Sequence, residues 1–161
     1  MPVTHVDEDP EELTLTLIAE YRAPVARVWR MWSDPRLLER WWGTPQHPAG
    51  FDRYEFNTGG ECRYHLTGPD GVVQRGWWRI CVVDEPRRLE FEDGFADADG
   101  NPGSAVDATH TKVTFETDGA LTRMVLLSTF ASVEQQEQHA AMGVVEGITT
   151  SLGQIDSLLV E

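Results

Sequence analysis

The chain has 161 residues, a length that suits one domain with a single hydrophobic core. Its formal net charge of −14, from 27 acidic and 13 basic side chains, disfavours nucleic acid and anionic membranes as partners, because like charges repel. Hydrophobic residues make up 40% of the chain, no apolar run reaches membrane-spanning length, and the N-terminus lacks a signal-peptide pattern. We therefore expect a folded cytoplasmic protein.

The N-terminal region divides into a polar segment and a strand. Residues 1–11 are polar and marked by proline, so we expect a loose lead-in there. Residues 12–22 alternate Leu13, Leu15 and Leu17 with Thr14 and Thr16, a pattern typical of a half-buried strand. On this interpretation a single domain spans residues 12–161.

Residues 23–43 predict two short helices. Apolar side chains recur at helical spacing, at Val25, Val28, Trp29 and Trp32. Asp34 followed by Pro35 is typical of an N-cap with proline at the first helical position, so a second helix should begin there. Its apolar stripe ends at the adjacent Trp41 and Trp42, and Gly43 is placed to end the helix as a C′ glycine.

Residues 51–130 predict six strands separated by turns. The strands are "FDRYEF", "ECRYHL", "VVQRGWWRICVV", "RLEFED", "TKVTFETD" and "LTRMVLLSTF", and glycine, proline and aspartate mark the turns. The one long connection, at 96–109, is expected to be mobile. Cys62 and Cys81 both fall inside strands, and two buried reduced thiols are favoured over a disulfide.

The C-terminal region predicts one long helix. Ser132 and Gln135 match a capping box, and apolar residues then recur every three or four positions, which predicts a helix over 133–159 roughly 40 Å long. Gly143, Gly147 and Gly153 each cost about 1 kcal/mol relative to alanine. We therefore expect this helix to pack closely against another element or to curve over it.

The order of elements predicts an α+β fold. The long helix is the only element large enough to cover one face of the sheet, so a curved seven-stranded antiparallel sheet should wrap around it. The two short helices that follow the first strand would close one end. Such an arrangement commonly leaves space between the helix and the sheet.

Several short motifs resemble one known family. They are "WWG" (41–43), "GG" (59–60), "GPDG" (68–71), Gly76, "PRRL" (86–89) and "MGVVEG…SLGQIDSLL" (142–159). Their order and spacing resemble the activator-of-Hsp90-ATPase-homologue branch of the START/Bet v 1-like superfamily. The resemblance covers residues 12 to 160 and implies a helix-grip fold with a hydrophobic cavity beneath the C-terminal helix. It also implies functions among ligand carriage, cyclase or aromatase chemistry, and Hsp90 stimulation.

Strand alternation predicts which side chains face such a cavity. Cys62, Tyr64 and Leu66 should point inward on one strand, and Trp78, Ile80 and Val82 on the next, which sends Trp77 to the outer face. The full set of candidate ligand-binding residues is Trp41, Trp42, Phe56, Tyr64, Leu66, Trp78, Ile80, Phe91, Phe115, Leu126, Ser128, Phe130, Met142, Val145, Thr149 and Leu152.

The doubled tryptophans predict a division of roles. One indole of each pair should fill the core, and the other should lie at the rim of the cavity or on the outer surface. Tryptophan suits such positions because its large apolar ring carries one polar N–H group. Packing of all the tryptophans in the core is the simpler alternative, and it is favoured for Trp29, Trp32 and Trp78. An outward Trp77 could cover its own sheet or contact a partner, which makes a homodimer reasonable.

Motifs for nucleophilic and metal chemistry are absent from the sequence. There is no G-x-S-x-G elbow, P-loop or H-E-x-x-H motif, and no two histidines share ligand spacing, so we expect no metal and no cofactor. Glu146 is the candidate catalytic residue. If it faced the cavity, burial would raise its pKa and suit it to general acid chemistry. The alternative places it at the helix edge, in solvent or in an ion pair.

Three functions follow, and the sequence does not decide whether the protein is an enzyme. The first is binding of a small hydrophobic or aromatic ligand without turnover, favoured by the expected cavity and the lack of catalytic motifs. The second is a cyclase-, aromatase- or hydrolase-like enzyme that acts on such a ligand. The third is an Hsp90-type interaction module, which the acidic composition disfavours because it offers little basic surface.

Overall fold

The structure, a computed structural model, describes residues 2–99, 101 and 108–160. Eight strands form one antiparallel sheet in the order β1-β2-β8-β7-β6-β5-β4-β3. The strands are β1 (Val3–Asp9), β2 (Thr14–Tyr21), β3 (Ala49–Tyr54), β4 (Glu61–Thr67), β5 (Val73–Asp84), β6 (Arg88–Ala96), β7 (Thr109–Asp118) and β8 (Leu121–Thr129). The helices are α1 (Val25–Ser33), α2 (Pro35–Trp42), α3 (Val133–Ala141) and α4 (Val144–Leu159). This is the predicted α+β helix-grip fold.

The first strand corrects the expectation of a loose N-terminal lead-in. Val3–Asp9 pairs antiparallel with β2, so the sheet has eight strands and not seven. Five of its seven side chains are exposed, so β1 contributes backbone hydrogen bonds at the sheet edge and little core. A strand held by backbone hydrogen bonds needs no alternation of apolar side chains, so residues 3–9 lack the pattern from which a strand is predicted. The Asp9 carboxylate turns the chain into β2 by accepting from the backbone amides of Glu11 and Glu12.

Alternation in the other strands builds the inner face of the sheet. In β2, Leu15, Leu17, Ala19 and Tyr21 are all buried, and the residues between them are half-buried. In β5 the alternation breaks at a bulge between Ile80 and Val82, where the register with β6 shifts. Beyond the bulge Val82 lies opposite Glu90 and Val83 packs on the core, so the prediction that Val82 points inward is wrong.

The two short helices form as predicted. The Asp34 side chain accepts a hydrogen bond from the Arg36 amide, and Pro35 occupies the first turn of α2. Gly43 follows the helix in an extended conformation, with φ −85°, so it is not the left-handed C′ glycine expected from sequence. Glycine is required there for a different reason. A Cβ at this position would lie 2.2 Å from the carbonyl oxygen of His47.

The predicted single C-terminal helix is broken in two. The α3 helix begins with the expected cap, in which Ser132 Oγ accepts from the Gln135 amide. The helix ends at Ala141 with Met142 as its C-cap, and Gly143 adopts φ +76° before α4 begins. Only glycine enters this left-handed region without a steric penalty, so Gly143 changes the direction of the chain. The break turns a different face of α4 toward the sheet than an unbroken helix would.

Helix α4 is fixed to α2 and to the sheet by buried hydrogen bonds. Ser151 Oγ lies 3.0 Å from the carbonyl oxygen of Trp42, and Gln154 Nε2 lies 2.6 Å from that of Gly43. These donors satisfy carbonyl groups that the end of α2 leaves without helical partners. The Tyr21 hydroxyl donates to the Leu152 carbonyl at 2.8 Å from the opposite side. The C-terminal half of α4 is therefore rigidly placed over the sheet.

The remaining sequence expectations concern the cysteines, the long connection and the membrane. Cys62 is free and buried as expected, and burial raises the pKa of its thiol to about 12. Cys81 is free but only half-buried. The expectation of mobility at 96–109 falls mainly on residues 100 and 102–107, which lie outside the described residues. Within the described residues, no helix is both long and apolar enough to cross a membrane.

Candidate functional site

A cavity of about 540 Å³ lies between the inner face of the sheet and the N-terminal half of α4. Its walls come from the end of α2 and the loop after it, from strand β2, from strands β4 to β8, and from α3 and α4. Val144, Gly147, Ile148, Ser151 and Leu152 form one face of α4 and roof the cavity. The volume falls in the range of pockets that enclose small organic ligands.

Aromatic rings form much of the floor. Trp78 lies fully buried beneath the cavity, stacked on Phe91 with ring centroids 4.2 Å apart. Trp42 packs edge-on against Trp78 at 4.8 Å and against Tyr64 at 5.9 Å, and its half-buried indole lines the cavity. Trp41 also touches the cavity but is buried in the core, where its indole N–H donates to the Met31 carbonyl. The first tryptophan pair thus divides between the core and the cavity wall.

Asp93 and Tyr64 form a hydrogen-bonded pair in this apolar wall. The Tyr64 hydroxyl donates to Asp93 Oδ1 at 3.0 Å, and both residues line the cavity. Tyr64 lies flat on the strand beside it because Gly76 stands opposite. A Cβ at Gly76 would come within 2.2 Å of the tyrosine ring. Across the sheet, Asp93 on β6 is paired with Trp78 on β5 and with Thr109 on β7.

The surroundings of this pair shift both of its pKa values. Burial raises the pKa of the Asp93 carboxyl from 3.8 to about 7, because the ionised form loses its hydration. Hydrogen bonding from Tyr64 and the proximity of the Trp78 indole N–H oppose that rise. The Trp78 N–H nonetheless has no hydrogen bond of ordinary geometry among the described residues. Burial and the Asp93 charge raise the pKa of Tyr64 well above its usual value, so the tyrosine remains neutral.

Further polar groups lie farther along the cavity wall. Thr111 Oγ1 and Ser128 Oγ are 3.0 Å apart and hydrogen-bond to each other. His139 on α3 packs edge-on against Phe130, with ring centroids 5.3 Å apart, and burial lowers the pKa of its imidazole. The cavity therefore combines a largely apolar lining with a few polar groups.

The opening of the cavity lies at the break between α3 and α4. Met142 and Phe95 border it and are 59% and 49% exposed, which is unusual for large apolar side chains. His47 and Gln74 are the other exposed residues of the lining. Because Gly143 ends α3 at this point, the broken helix leaves an entrance that a continuous helix would cover.

The structure brings together ten of the sixteen predicted ligand-binding residues. Those that line the cavity are Trp41, Trp42, Tyr64, Leu66, Phe91, Leu126, Ser128, Phe130, Met142 and Leu152. Those that do not line it are Phe56, Trp78, Ile80, Phe115, Val145 and Thr149.

Two physical reasons explain four of the six residues that do not line the cavity. Phe56 and Phe115 pack against Trp29 of α1 at 5.8 and 5.3 Å, so this end of the space between helices and sheet is solidly filled. Val145 and Thr149 lie on α4 but off its cavity face, because Gly143 resets the phase of the helix. The Thr149 hydroxyl instead donates to the Val145 carbonyl at 2.8 Å.

Glu146 does not face the cavity. Its side chain is exposed, and the helix turns Val144, Gly147 and Ile148 inward around it. The condition on which its candidate catalytic role depended is therefore not met, and the alternative placement at the solvent-exposed helix edge is the one found. The same shift in helix phase that displaced Val145 accounts for it.

Asp93 is the ionisable group that the sequence interpretation missed. The alternation that buries Leu89 and Phe91 in β6 extends by one step to Asp93. The string "RLEFED" ends in two acids, which are usually solvent-exposed at the end of a strand. The feature that could have identified Asp93 is therefore the two-residue period of the strand, which places this polar residue on the inner face.

Trp77 lies on the outer face as predicted, but it is not exposed. Its side chain is only 6% accessible, because the indole lies across Gly94 of β6, where a Cβ would come within 2.7 Å of the ring. Of the two predicted roles, covering its own sheet is the one found. The argument for a homodimer from an exposed Trp77 is thereby removed.

Two other features of the described part of the chain carry no chemistry. Within residues 2–99, 101 and 108–160, no group of three or more His, Cys, Asp or Glu side chains could hold a metal ion. A second depression of about 730 Å³ lies beside the last turns of α4, among Glu20, Arg22 and Asp156. Its lining is about half polar and lacks the aromatic floor of the cavity beneath α4.

Comparison with known proteins assigns the chain to a family. Residues 22–160 match the family described as activator of Hsp90 ATPase homolog 1-like protein. No curated protein matches the chain. Protein Ms6760 from Mycobacterium smegmatis is 44% identical, with a TM-score of 0.91 over 98% of this chain and 97% of that one.

Two further solved structures share the fold. A protein from Arthrobacter aurescens, solved by NMR in solution, is 47% identical with a TM-score of 0.93, over 98% of this chain and 92% of its own. The AHSA1 protein from Silicibacter pomeroyi is 21% identical with a TM-score of 0.72, over 91% of this chain and 97% of its own. With the family match over most of its length, the chain belongs to the activator of Hsp90 ATPase homolog 1-like family and has its helix-grip fold.

Proposed function

We propose that the protein binds a small, largely apolar molecule in the cavity beneath α4. The observation that carries the proposal is the unfilled volume of about 540 Å³ between the sheet and α4, lined mainly by aromatic and aliphatic side chains. A core that served folding alone would be filled, since protein interiors are close-packed and empty volume is destabilising.

The lining supports a ligand with an apolar body and a polar end. Trp42, Phe91, Leu126 and Leu152 supply apolar contact, and Asp93 with its partner Tyr64 supplies a polar group on the sheet wall. Ligand sites in proteins commonly have this composition, in which apolar surface gives affinity and a few polar groups give orientation. The exposed Met142 and Phe95 at the entrance give a ligand apolar surface along its path.

Filling the cavity tests the proposal. Gly147 is on the cavity face of α4 and a Cβ there would meet no atom within 4 Å, so Gly147→Phe should project its ring into the volume. Gly153→Phe is the matched control, because Gly153 is on the same helix, away from the cavity, with equal space for a Cβ. Both changes remove a helical glycine and should help the helix to a similar extent.

The measurement is titration of 1-pyrenemethanol, followed by energy transfer from the tryptophans to pyrene. We expect saturable binding to wild type and to Gly153→Phe, and at least tenfold weaker binding to Gly147→Phe. Circular dichroism checks that both variants are folded. Equal binding by both variants would show that the pyrene lies outside the cavity and would overturn the proposal.

A second candidate is an enzyme that uses the same cavity, with Asp93 and not Glu146 as the proton-transferring group. The pKa of Asp93 is about 7, the value at which a carboxyl exchanges protons most effectively near neutral pH. Cyclase-, aromatase- or hydrolase-like reactions could then occur on a bound ligand. Asp93→Asn should abolish turnover of any substrate found by screening, and retained turnover would exclude this role.

The third function considered from sequence, chaperone interaction, has less support. The aromatic residue expected to serve it, Trp77, is covered by its own sheet. The net charge of −14 also leaves little basic surface for an acidic partner. A pull-down against the Hsp90 of the host tests it, and retention of Hsp90 would restore this function to consideration.

A further inference from the structure

The cavity has an unbalanced set of ionisable groups. Among the described residues that line it, the groups that can carry charge are Asp93, Tyr64, His47 and His139, and neither lysine nor arginine is present. The aspartate is therefore the only lining group with negative charge near neutral pH, and no permanent cation offsets it. In a space with little water, that charge acts strongly on any ligand.

The Asp93 carboxyl retains acceptor capacity for a ligand. An ionised carboxylate offers about four lone-pair sites on its two oxygens. The described structure gives the side chain one hydrogen bond of ordinary geometry, from the Tyr64 hydroxyl to Oδ1. The nearby Trp78 indole N–H makes none. A donor on the ligand would therefore meet free acceptor sites on the carboxylate.

Aromatic rings flank this carboxylate on the cavity wall. Phe91 and Phe95 lie two residues before and after Asp93 on the inner side of β6, and Trp42 packs on Tyr64, the hydrogen-bond partner of Asp93. The faces of aromatic rings attract cations and not anions. The rings and the carboxylate thus favour the same kind of ligand.

We propose that the ligand of this cavity is a hydrophobic amine, bound as its ammonium ion with Asp93 as the counter-ion. The inference rests on the proposed binding function and names the chemical class of the ligand. A carboxylate of the same size would place a second negative charge beside Asp93, which is unfavourable in a space of low dielectric constant. A neutral alcohol would bind with intermediate affinity, since it can donate one hydrogen bond without charge attraction.

The proposal predicts the direction of a pH dependence. As the pH falls below the pKa of Asp93, the carboxyl becomes neutral and loses its attraction for an ammonium ion, so amine binding should weaken. The other titratable groups that line the cavity are His47 in the loop after α2, His139 on α3 and Tyr64 on β4. Protonation of His139 would repel an ammonium ion and act in the same direction, and Tyr64 stays neutral.

The test compares three probes that share one ring system: 1-pyrenemethylamine, 1-pyrenemethanol and 1-pyrenecarboxylate. They are titrated into wild type, Asp93→Asn and Glu92→Gln at pH 8 and physiological salt. Glu92 is the neighbour of Asp93 on β6 but does not line the cavity. Its substitution by glutamine removes one negative charge from the protein, as Asp93→Asn does, and leaves the cavity wall unchanged. It therefore controls for long-range attraction of a cation to a chain of net charge −14.

For wild type and Glu92→Gln we expect the amine to bind at least tenfold more tightly than the alcohol, and the carboxylate least tightly. In Asp93→Asn the preference for the amine over the alcohol should fall to less than threefold, while binding of the alcohol persists. Binding of the alcohol without a preference for the amine would overturn the amine proposal and leave the cavity function standing. Binding of none of the three probes would overturn both.

Discussion

Replacement of Asp93 by asparagine should change how the stability of the protein depends on pH. The carboxyl has a pKa of about 7 in the folded protein and 3.8 in an exposed reference state. Below pH 3.8 it is neutral in both states, and the folded protein has the full benefit of a neutral group in an apolar wall. As the pH rises toward 7, the Asp93 carboxyl ionises in the unfolded chain but stays protonated in the folded protein, so the free energy of unfolding falls.

The magnitude follows from the two pKa values. The difference between 3.8 and about 7, at 1.36 kcal/mol per pH unit, corresponds to ~4 kcal/mol of unfolding free energy lost between pH 4 and pH 8. That is a large part of the 5–15 kcal/mol typical of a single domain. Asparagine has nearly the same shape, can accept the Tyr64 hydrogen bond and does not titrate. The free energy of unfolding of Asp93→Asn should therefore not fall in this way as the pH rises.

The assay is urea unfolding followed by tryptophan fluorescence at pH 4, 5.5, 7 and 8. The free energy of unfolding of Asp93→Asn, relative to wild type, should rise by up to ~4 kcal/mol across that range. Glu92→Gln should change little relative to wild type over the same range, because its side chain does not line the cavity. A difference between Asp93→Asn and wild type that is flat with pH would refute the claim that burial perturbs Asp93.

Three further predictions concern the partner of Asp93, the helix break and the α2–α4 contact. Tyr64→Phe should raise the pKa of Asp93 further, because the tyrosine hydrogen bond lowers it, and carboxyl ¹³C chemical shifts followed with pH would measure the change. Gly143→Ala should destabilise the protein by about 1–2 kcal/mol since alanine resists φ +76°, whereas Gly147→Ala should stabilise it by about 1 kcal/mol, both by urea unfolding. Ser151→Ala should cost about 1 kcal/mol in the same assay, because the carbonyl groups at the end of α2 lose a buried donor.

The sequence predicted the fold class because the strand periods, the caps and the turns all pointed to one arrangement. Asp34 and Ser132 cap their helices as expected, since capping is a local interaction between residues two or three positions apart. The inner-face prediction for Cys62, Tyr64 and Leu66 in β4 is confirmed for the same reason, because alternation is a property of the strand itself. Such local determinants require no knowledge of the tertiary structure.

The errors occur where tertiary contacts decide between local alternatives. A glycine within a helix can be tolerated, curve the helix or break it, and the sequence around Gly143 does not distinguish these outcomes. The bulge between Ile80 and Val82 likewise depends on pairing with β6 and the Gly59–Gly60 turn, to which Ile80 bonds in both directions. Strand β1 forms because β2 has a free edge, which is invisible in the sequence of β1.

The candidate site was predicted in part for the same reasons. Residues assigned by strand period, such as Tyr64, Leu126 and Ser128, line the cavity. Of the residues assigned by helix period, Met142 and Leu152 line the cavity, whereas Val145 and Thr149 do not because Gly143 resets the phase of the helix. Glu146 is displaced for the same reason. Strand alternation places Asp93 on the inner face, but an acidic side chain is usually exposed to solvent, so it was not predicted to line the cavity. A buried acid at the end of an apolar strand face is thus the pattern that carries functional information.

The most direct measurement of the central claim is an isotope-edited NOE spectrum of the ¹³C-labelled protein bound to unlabelled 1-pyrenemethylamine. If the cavity beneath α4 is the binding site, pyrene protons will show NOEs to the methyl groups of Leu126, Ile148 and Leu152, which line it from opposite sides. NOEs confined to exposed side chains such as Val72 or Val160, with none to those three residues, would contradict the account.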